Sequence, residues 1–175
     1  RALEIGRRTR GPDHPYTAVA LSALAEGLRR QGELIEAERA ARQSIEIKTR
    51  AYGPNHRSVA ATVVVLANIL ADRGEPEQAE AEYRRGIEIL ENVLGPDHPS
   101  LAGGLTDLAV LAAKQGRMDE AEPLLGRAQA IVEASRGPEY PTIAVILIER
   151  AKIQLLRGET EEARASCKRA LQIAR

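Results

Sequence analysis

Three short markers recur along this chain with one common spacing, and they restrict its fold more than any other property of the sequence. Gly11-Pro12-Asp13-His14-Pro15 returns as Gly53-Pro54-Asn55-His56-Arg57, Gly95-Pro96-Asp97-His98-Pro99 and Gly137-Pro138-Glu139-Tyr140-Pro141, so positions 11, 53, 95 and 137 are 42 residues apart. A second marker, Gly32, Gly74, Gly116 and Gly158, keeps the same step. A third follows it at Ala37, Ala79, Ala121 and Ala163. A fixed period of this length marks stacked supersecondary units, none of which can bury its apolar face alone. The 175 residues therefore read as one array and a piece of a longer protein. Residues 1–10 match Gln43 to Tyr52 and form the end of a preceding repeat. Repeats at 11–52, 53–94 and 95–136 follow, with a nearly complete fourth at 137–175.

The glycines divide each unit into two amphipathic segments. The first runs from about Pro15 to Gln31, with Val19, Leu21, Leu24, Ala25 and Leu28 at helical spacing. Pro15, Pro99 and Pro141 suit a helix's first turn, where a missing N–H costs little, and Gly32 suits the left-handed position that ends it. The second segment runs from about Leu34 to Ala51 and stops at Gly53-Pro54, since Pro cannot extend a helix. Each unit is thus two antiparallel helices. Close stacking needs small residues at the crossings, and Ala25, Ala67, Ala109 and Ala151 hold one such column while Ala37, Ala79, Ala121 and Ala163 hold the other.

Composition agrees. Aromatic residues are 2% of the chain, with four Tyr and no Phe or Trp, so the core must be aliphatic, which suits helix packing and not a β-sandwich. Lys+Arg and Asp+Glu are both 25, which argues against the basic surface of a nucleic-acid binder. The longest apolar run, Ile143 to Ile148, is far short of a membrane span. The opening residues, Arg1-Ala2-Leu3-Glu4-Ile5, lack the apolar core of a signal peptide. One cysteine, Cys167, excludes an internal disulfide framework and a multi-thiolate zinc site.

Leu105-x-x-Leu108-Ala109, then Gly116, then Glu120-Ala121-Glu122, resembles a tetratricopeptide repeat. The 42-residue step and the GPDHP loop are similar to the kinesin-light-chain type of that repeat. The resemblance implies an all-α, right-handed superhelical solenoid whose first helices line a concave groove for peptides or partner segments. Two columns depart from the pattern. Leu24, Leu66 and Leu108, where a buried Leu is expected, give way to Arg150. The aromatic-favoured column reads Ala41, Tyr83, Leu125 and Cys167. Pro123 lies about one turn inside its helix and is tolerated if that helix starts no earlier than about Arg117 to Asp119.

No catalytic constellation is legible, so the chain is expected not to be an enzyme and to hold no cofactor or metal. His14, His56 and His98 lie one repeat apart and are expected to serve the loops rather than to converge on a metal. Cys167 is expected to be a small buried group. The acidic openings of second helices, such as Glu36, Glu161 and Glu162, complement the helix dipole. The resemblance implies groove positions at Ser22, Glu26, Arg29 and Arg30, at Val64, Asn68, Ala71 and Asp72, at Thr106, Val110, Ala113 and Lys114, and at Ile148, Lys152, Leu155 and Leu156. This groove is basic at the first repeat and apolar toward the fourth. The two-Lys, two-Asn clamp of chaperone-binding relatives is represented by Asn68 alone.

Two functions follow from these residues. One is a protein-interaction scaffold that binds a peptide or partner segment in the groove. The other is a sensor or oligomerisation arm of a larger signalling NTPase or protease. The expected partners are protein or peptide, with no nucleic acid and no membrane, in a cytoplasmic setting. The fourth repeat carries more apolar residues than one face can hide, which predicts that it presents an exposed apolar patch used by a following repeat, a second copy of the chain or a ligand helix. Arg150 should reach solvent or a carboxylate, because an unpaired buried guanidinium is costly.

Overall fold

A computed structural model describes residues 11–174 together with Arg8. The expected end of a preceding repeat at residues 1–10 lies, apart from Arg8, outside the described residues. Among the described residues there are eight helices and no strand: α1 Pro15–Gln31, α2 Leu34–Tyr52, α3 Arg57–Asp72, α4 Pro76–Leu94, α5 Leu101–Lys114, α6 Met118–Arg136, α7 Pro141–Leu156 and α8 Thr160–Ile173. No helix among them is long and apolar enough to cross a membrane.

The breakers act as local stereochemistry requires. Gly32 ends α1 with φ 82 and ψ 5, a left-handed conformation that costs glycine little, and its N–H donates to Leu28 and Arg29 carbonyls. Gly53 ends α2 with φ 87 and ψ 161, a region closed to residues with a Cβ. The loop histidines then open the next helix. His14 Nδ1 accepts from the Tyr16 N–H at 3.1 Å, His56 Nδ1 from the Ser58 N–H at 3.2 Å, and His98 Nδ1 from the Ser100 N–H at 3.2 Å. His14 and His56 each satisfy one N–H that a helix start leaves without a backbone partner, while His98 bonds within the turn ahead of α5. The fourth loop has Tyr140 there instead, with no side-chain cap, and the Arg136 guanidinium stands 5.5 Å from its ring centre.

Two expectations about proline meet different outcomes. Pro15 and Pro141 are first-turn residues of α1 and α7. Pro99 is not: a turn held by Leu101 N–H to His98 O at 3.0 Å comes first, and α5 starts beyond it. Pro123 lies inside α6, which begins at Met118, within the expected range. It forgoes one backbone hydrogen bond there.

The chain divides into two compact units, Arg1–Gly95 and Pro96–Arg175. In the first, α1 pairs with α2 and α3 with α4, and α3 packs on both α2 and α1. In the second, α5 pairs with α6 and α7 with α8, and α7 packs on both α6 and α5. All eight alanines of the two crossing columns are buried. Gly86 shows how close the approach is: a Cβ there would lie 2.9 Å from Val64 Cγ2 and 3.4 Å from the Ala60 carbonyl. Any side chain at Gly86 would therefore push α4 away from α3.

Repeat columns do not guarantee equal burial. Leu66 and Leu108 are buried, but Leu24 in the same column is 40% exposed. Tyr83 is buried and donates its hydroxyl to Asn68 Oδ1, and Leu125 is buried on α6. Cys167, expected to be buried, is exposed. Helix α6, which carries Leu125, has α5 on one side and α7 on another, whereas α8 packs on α7 and reaches α6 through Arg169.

Arg150 is accommodated by polar neighbours on α6. Its Nη1 donates to Gln129 Oε1, and its Nε lies 2.8 Å from Glu122 Oε1 without the alignment of a hydrogen bond. Gln129 in turn donates to Glu133 Oε1 at 2.7 Å, which also accepts from Arg169 of α8 at 2.7 Å. The Gln129 amide and the Arg169 guanidinium hold the Glu133 carboxyl below the usual carboxylate range against a smaller opposing effect of burial. The guanidinium thus reaches a carboxylate, as its sequence position requires.

Candidate functional site

The groove positions separate into two sets, one in each unit. In the first, Glu26 on α1 accepts from Arg29 Nε and Nη2, both at 3.0 Å, and from Arg30 Nε at 2.9 Å. Arg29 Nη1 also donates to Asp72 Oδ2 of α3 at 2.6 Å. The Arg29 hydrogen bonds hold the Glu26 carboxyl below its ordinary range, with Arg30 helping and burial opposing. The same contacts raise the Arg29 guanidinium. Two arginines therefore face two carboxylates, and the basic character expected of this end is internally balanced. Ser22 turns inward to Ser44 Oγ at 2.8 Å and Thr62 Oγ1 at 3.0 Å. Val64 lies against Gly86, Asn68 is engaged by Tyr83, and Ala71 is half-buried.

The second unit holds an open groove of about 410 Å3 between α5 and α7. The expected residues Thr106, Val110, Ala113, Lys114, Lys152 and Leu156 line it. Its walls are largely hydrocarbon, with Leu156 68% exposed. Lys152 pairs with Glu149 at 2.8 Å, and Lys114 stands exposed. Thr106 is buried and returns its hydroxyl to the Ala102 carbonyl at 2.8 Å, which leaves it a wall rather than a donor.

Ile148 and Leu155 are not in this groove, although they are 44% and 57% exposed. Leu171 of α8 is exposed as well. The groove instead takes Val145, Glu149 and Ile153 from α7 and Asp107 from α5. The signal for them was available. Val145, Glu149, Lys152 and Leu156 are spaced as one stripe of a helix, and Asp107 precedes Glu149 by one repeat length. Among the described residues, no three His, Cys, Asp or Glu side chains converge as a metal site.

These features meet known proteins at the level of fold. BtubC (BKLC) from P. vanneervenii superposes with a TM-score of 0.79 at 23% identity, over 92% of this chain and 65% of that one. The chain thus spans just under two thirds of BtubC. A kinesin light chain with nearly identical TPR-like repeats from Podosopora anserina gives a TM-score of 0.75 at 23% identity, over 98% and 81% of the two chains. MamA gives 0.64 at 16%, over 99% and 85%. None of the curated proteins matches the chain. The family described as the MalT-like TPR region matches residues 2–175, nearly the whole length. The chain is a tetratricopeptide-type repeat protein and belongs to the MalT-like TPR region family.

Proposed function

We propose that this chain is a protein-interaction scaffold that binds a peptide or partner segment along its first helices. The observation that carries this reading is the α5–α7 groove. It is open, about 410 Å3, walled by Val110, Ala113, Ile153 and Leu156, with Lys114 and Lys152 at its rim. Such a shape suits an extended or helical segment that inserts an apolar side chain and sets an acceptor against the ammonium groups. Glu26, Arg29, Arg30, Val64, Asn68 and Asp72 of the first unit belong to the same reading as a polar stretch. The reading contains no catalytic step and no cofactor, and equal basic and acidic counts argue against a nucleic-acid partner. It assigns the work to the cytoplasm and to no membrane.

The test is selection of binding peptides on the intact chain, followed by fluorescence anisotropy. Val110→Glu should weaken a selected peptide by at least about tenfold, the equivalent of 1.4 kcal/mol. Unchanged affinity in Val110→Glu and Leu156→Glu together would remove the groove from the function.

A second reading, a regulatory or oligomerisation arm of a larger signalling NTPase or protease, is favoured by exposed Ile148, Leu155 and Leu171. An apolar surface of this kind suits another helix pair or a second copy of the chain. Sedimentation of Leu155→Ser with Leu171→Ser against the unmodified chain separates self-association from peptide binding, since neither residue lines the groove.

A further inference from the structure

A lysine lies buried where α1, α2 and α3 meet, with no carboxylate beside it. Lys48 of α2 is 5% exposed. Its Nζ donates to Ser22 Oγ of α1 at 2.8 Å and to Thr62 Oγ1 of α3 at 2.6 Å. The hydroxyl protons are engaged elsewhere: Ser44 donates to the Ala18 carbonyl at 2.6 Å, Thr62 to the Ser58 carbonyl at 3.1 Å, and Ser22 lies 3.2 Å from the Ala18 carbonyl. The oxygens therefore offer the amine two acceptors. A neutral amine has two N–H bonds to place, and an ammonium has three. The site fits the neutral form and leaves the third proton of the charged form without a partner.

The charged groups along the surrounding helices do not relieve this. On α1, Glu26 is held by Arg29 and Arg30. On α3, Asp72 is held by Arg29, and His56 before it caps the Ser58 N–H. On α2 itself, Glu46 is paired with Arg50 and Glu38 with Arg42 and Arg73. The corresponding meeting point in the second unit needs no such group. One repeat multiple along, Lys48 becomes Val132, Ser44 becomes Ala128, Thr62 becomes Ile146 and Ser22 becomes Thr106, all buried. Leu90, between them in the column, is buried as well. A largely hydrocarbon joint is thus available to this fold, and the first joint departs from it at three positions together, Lys48, Ser44 and Thr62, while Ser22 and Thr106 both carry a hydroxyl.

We propose that Lys48 makes the joint between the first helix pair and α3 proton-gated: the neutral amine closes it, and protonation opens it to water. Closed, the amine ties Ser22 on α1 to Thr62 on α3. Open, the ammonium is hydrated and those two hydroxyls lose their shared donor, so α3 can part from α1 and α2. Burial lowers the Lys48 pKa from its ordinary value, the direction this gate requires. The open form binds the proton more tightly, so closure strengthens as pH rises from the lowered pKa toward the ordinary lysine range.

The experiment is a pH series on the intact 175-residue chain, reading the Lys48 Cε resonance and amide hydrogen exchange in Ser58 to Val63. Between the lowered and the ordinary lysine pKa, the opening equilibrium of the unmodified chain should rise by up to about tenfold per unit fall in pH, after correction for intrinsic exchange. In Lys48→Met this dependence should vanish. If that variant fails to fold, Lys48→Leu, which installs the residue found at Leu90, serves in its place. A Lys48 resonance that titrates with the surface lysines would overturn the gate, as would a pH dependence that survives unchanged in the substituted chain.

Discussion

The two units set a cation among packed helices at different stations of one plan, Lys48 buried in the first and Arg150 half-buried in the second. In the first, the joint between helix pairs carries Lys48 among Ser22, Ser44 and Thr62, while the neighbouring column is apolar, with Ile45 and Leu66. In the second, the joint is Val132, Ala128 and Ile146, and the neighbouring column is polar, with Gln129 and Arg150. The cations are also treated differently. Arg150 reaches Gln129 and Glu122, whereas Lys48 has hydroxyls alone. A buried cation with a carboxylate is a structural solution; one without it is a site whose charge depends on the medium. The repeat fixes where helices cross. It does not fix which crossing is allowed to be polar.

The largest expected effect tests the crossings themselves. Ala109→Leu in the second unit should destabilise by about 1–3 kcal/mol, because Ala109 is fully buried and overpacking forces α5 from its neighbours. A melting temperature equal to that of the unmodified chain would mean the small column is not a close contact. Gly86→Ala makes the matching test in the first unit, where the new Cβ must displace Val64.

Helix positions were close to fully legible in the sequence, because Gly and Pro act on backbone conformation within a residue or two. The period yields Pro15 to Gln31 to the residue and the end of α2 within one. Burial was less legible. A column records the average surroundings of a repeat, and Leu24 and Cys167 are exposed where Leu66 and Leu125 in the same columns are buried. The groove's lining was half legible: Val110, Lys114, Lys152 and Leu156 were implied by the family resemblance, but Val145 and Glu149 come from one helix's own stripe. Lys48 stood in the sequence against Leu90 and Val132, yet only the three-helix contact shows that its partners changed with it.

A middle-sized effect would sharpen the contrast between the two cations. Arg150→Leu restores the apolar column, and paired with Gln129→Leu it should be neutral to stabilising by about 1–2 kcal/mol, since two apolar groups replace a desolvated polar pair. Arg150→Leu alone should gain less, because Gln129 then loses its donor. Denaturant midpoints distinguish the two; a loss of several kcal/mol in the double variant would make the polar network a requirement of the fold.

The smallest effect concerns carboxylates, whose pH dependence has the same sign as that of Lys48 but lies in the acid range. Glu26 in the first unit and Glu133 in the second are both held below the usual carboxylate range by their hydrogen-bond donors. Each contributes stability that is present above the unfolded pKa, near 4.5, and is lost as pH falls through the lowered value. Glu26→Gln should flatten the acid limb of a melting-temperature profile modestly, because these side chains are partly solvated. An acid limb identical to that of the unmodified chain would mean the Arg29 and Arg30 contacts carry no net stability.

The inter-repeat loops bear on how such a chain changes over generations. Gly53, Gly95 and Gly137 leave their helices with φ near 90 and ψ near 160 alike: 87 and 161, 93 and 160, 91 and 162. An in-frame gain or loss of one period therefore splices one loop onto another with no new backbone conformation to be found, and the number of helix pairs becomes a quantity that recombination can alter freely. What such an exchange disturbs is the side chains that meet across the new joint. Loss of one period brings helix α2 against α5 and would set Lys48 opposite Gly104 in place of Thr62, stripping the amine of one of its two acceptors.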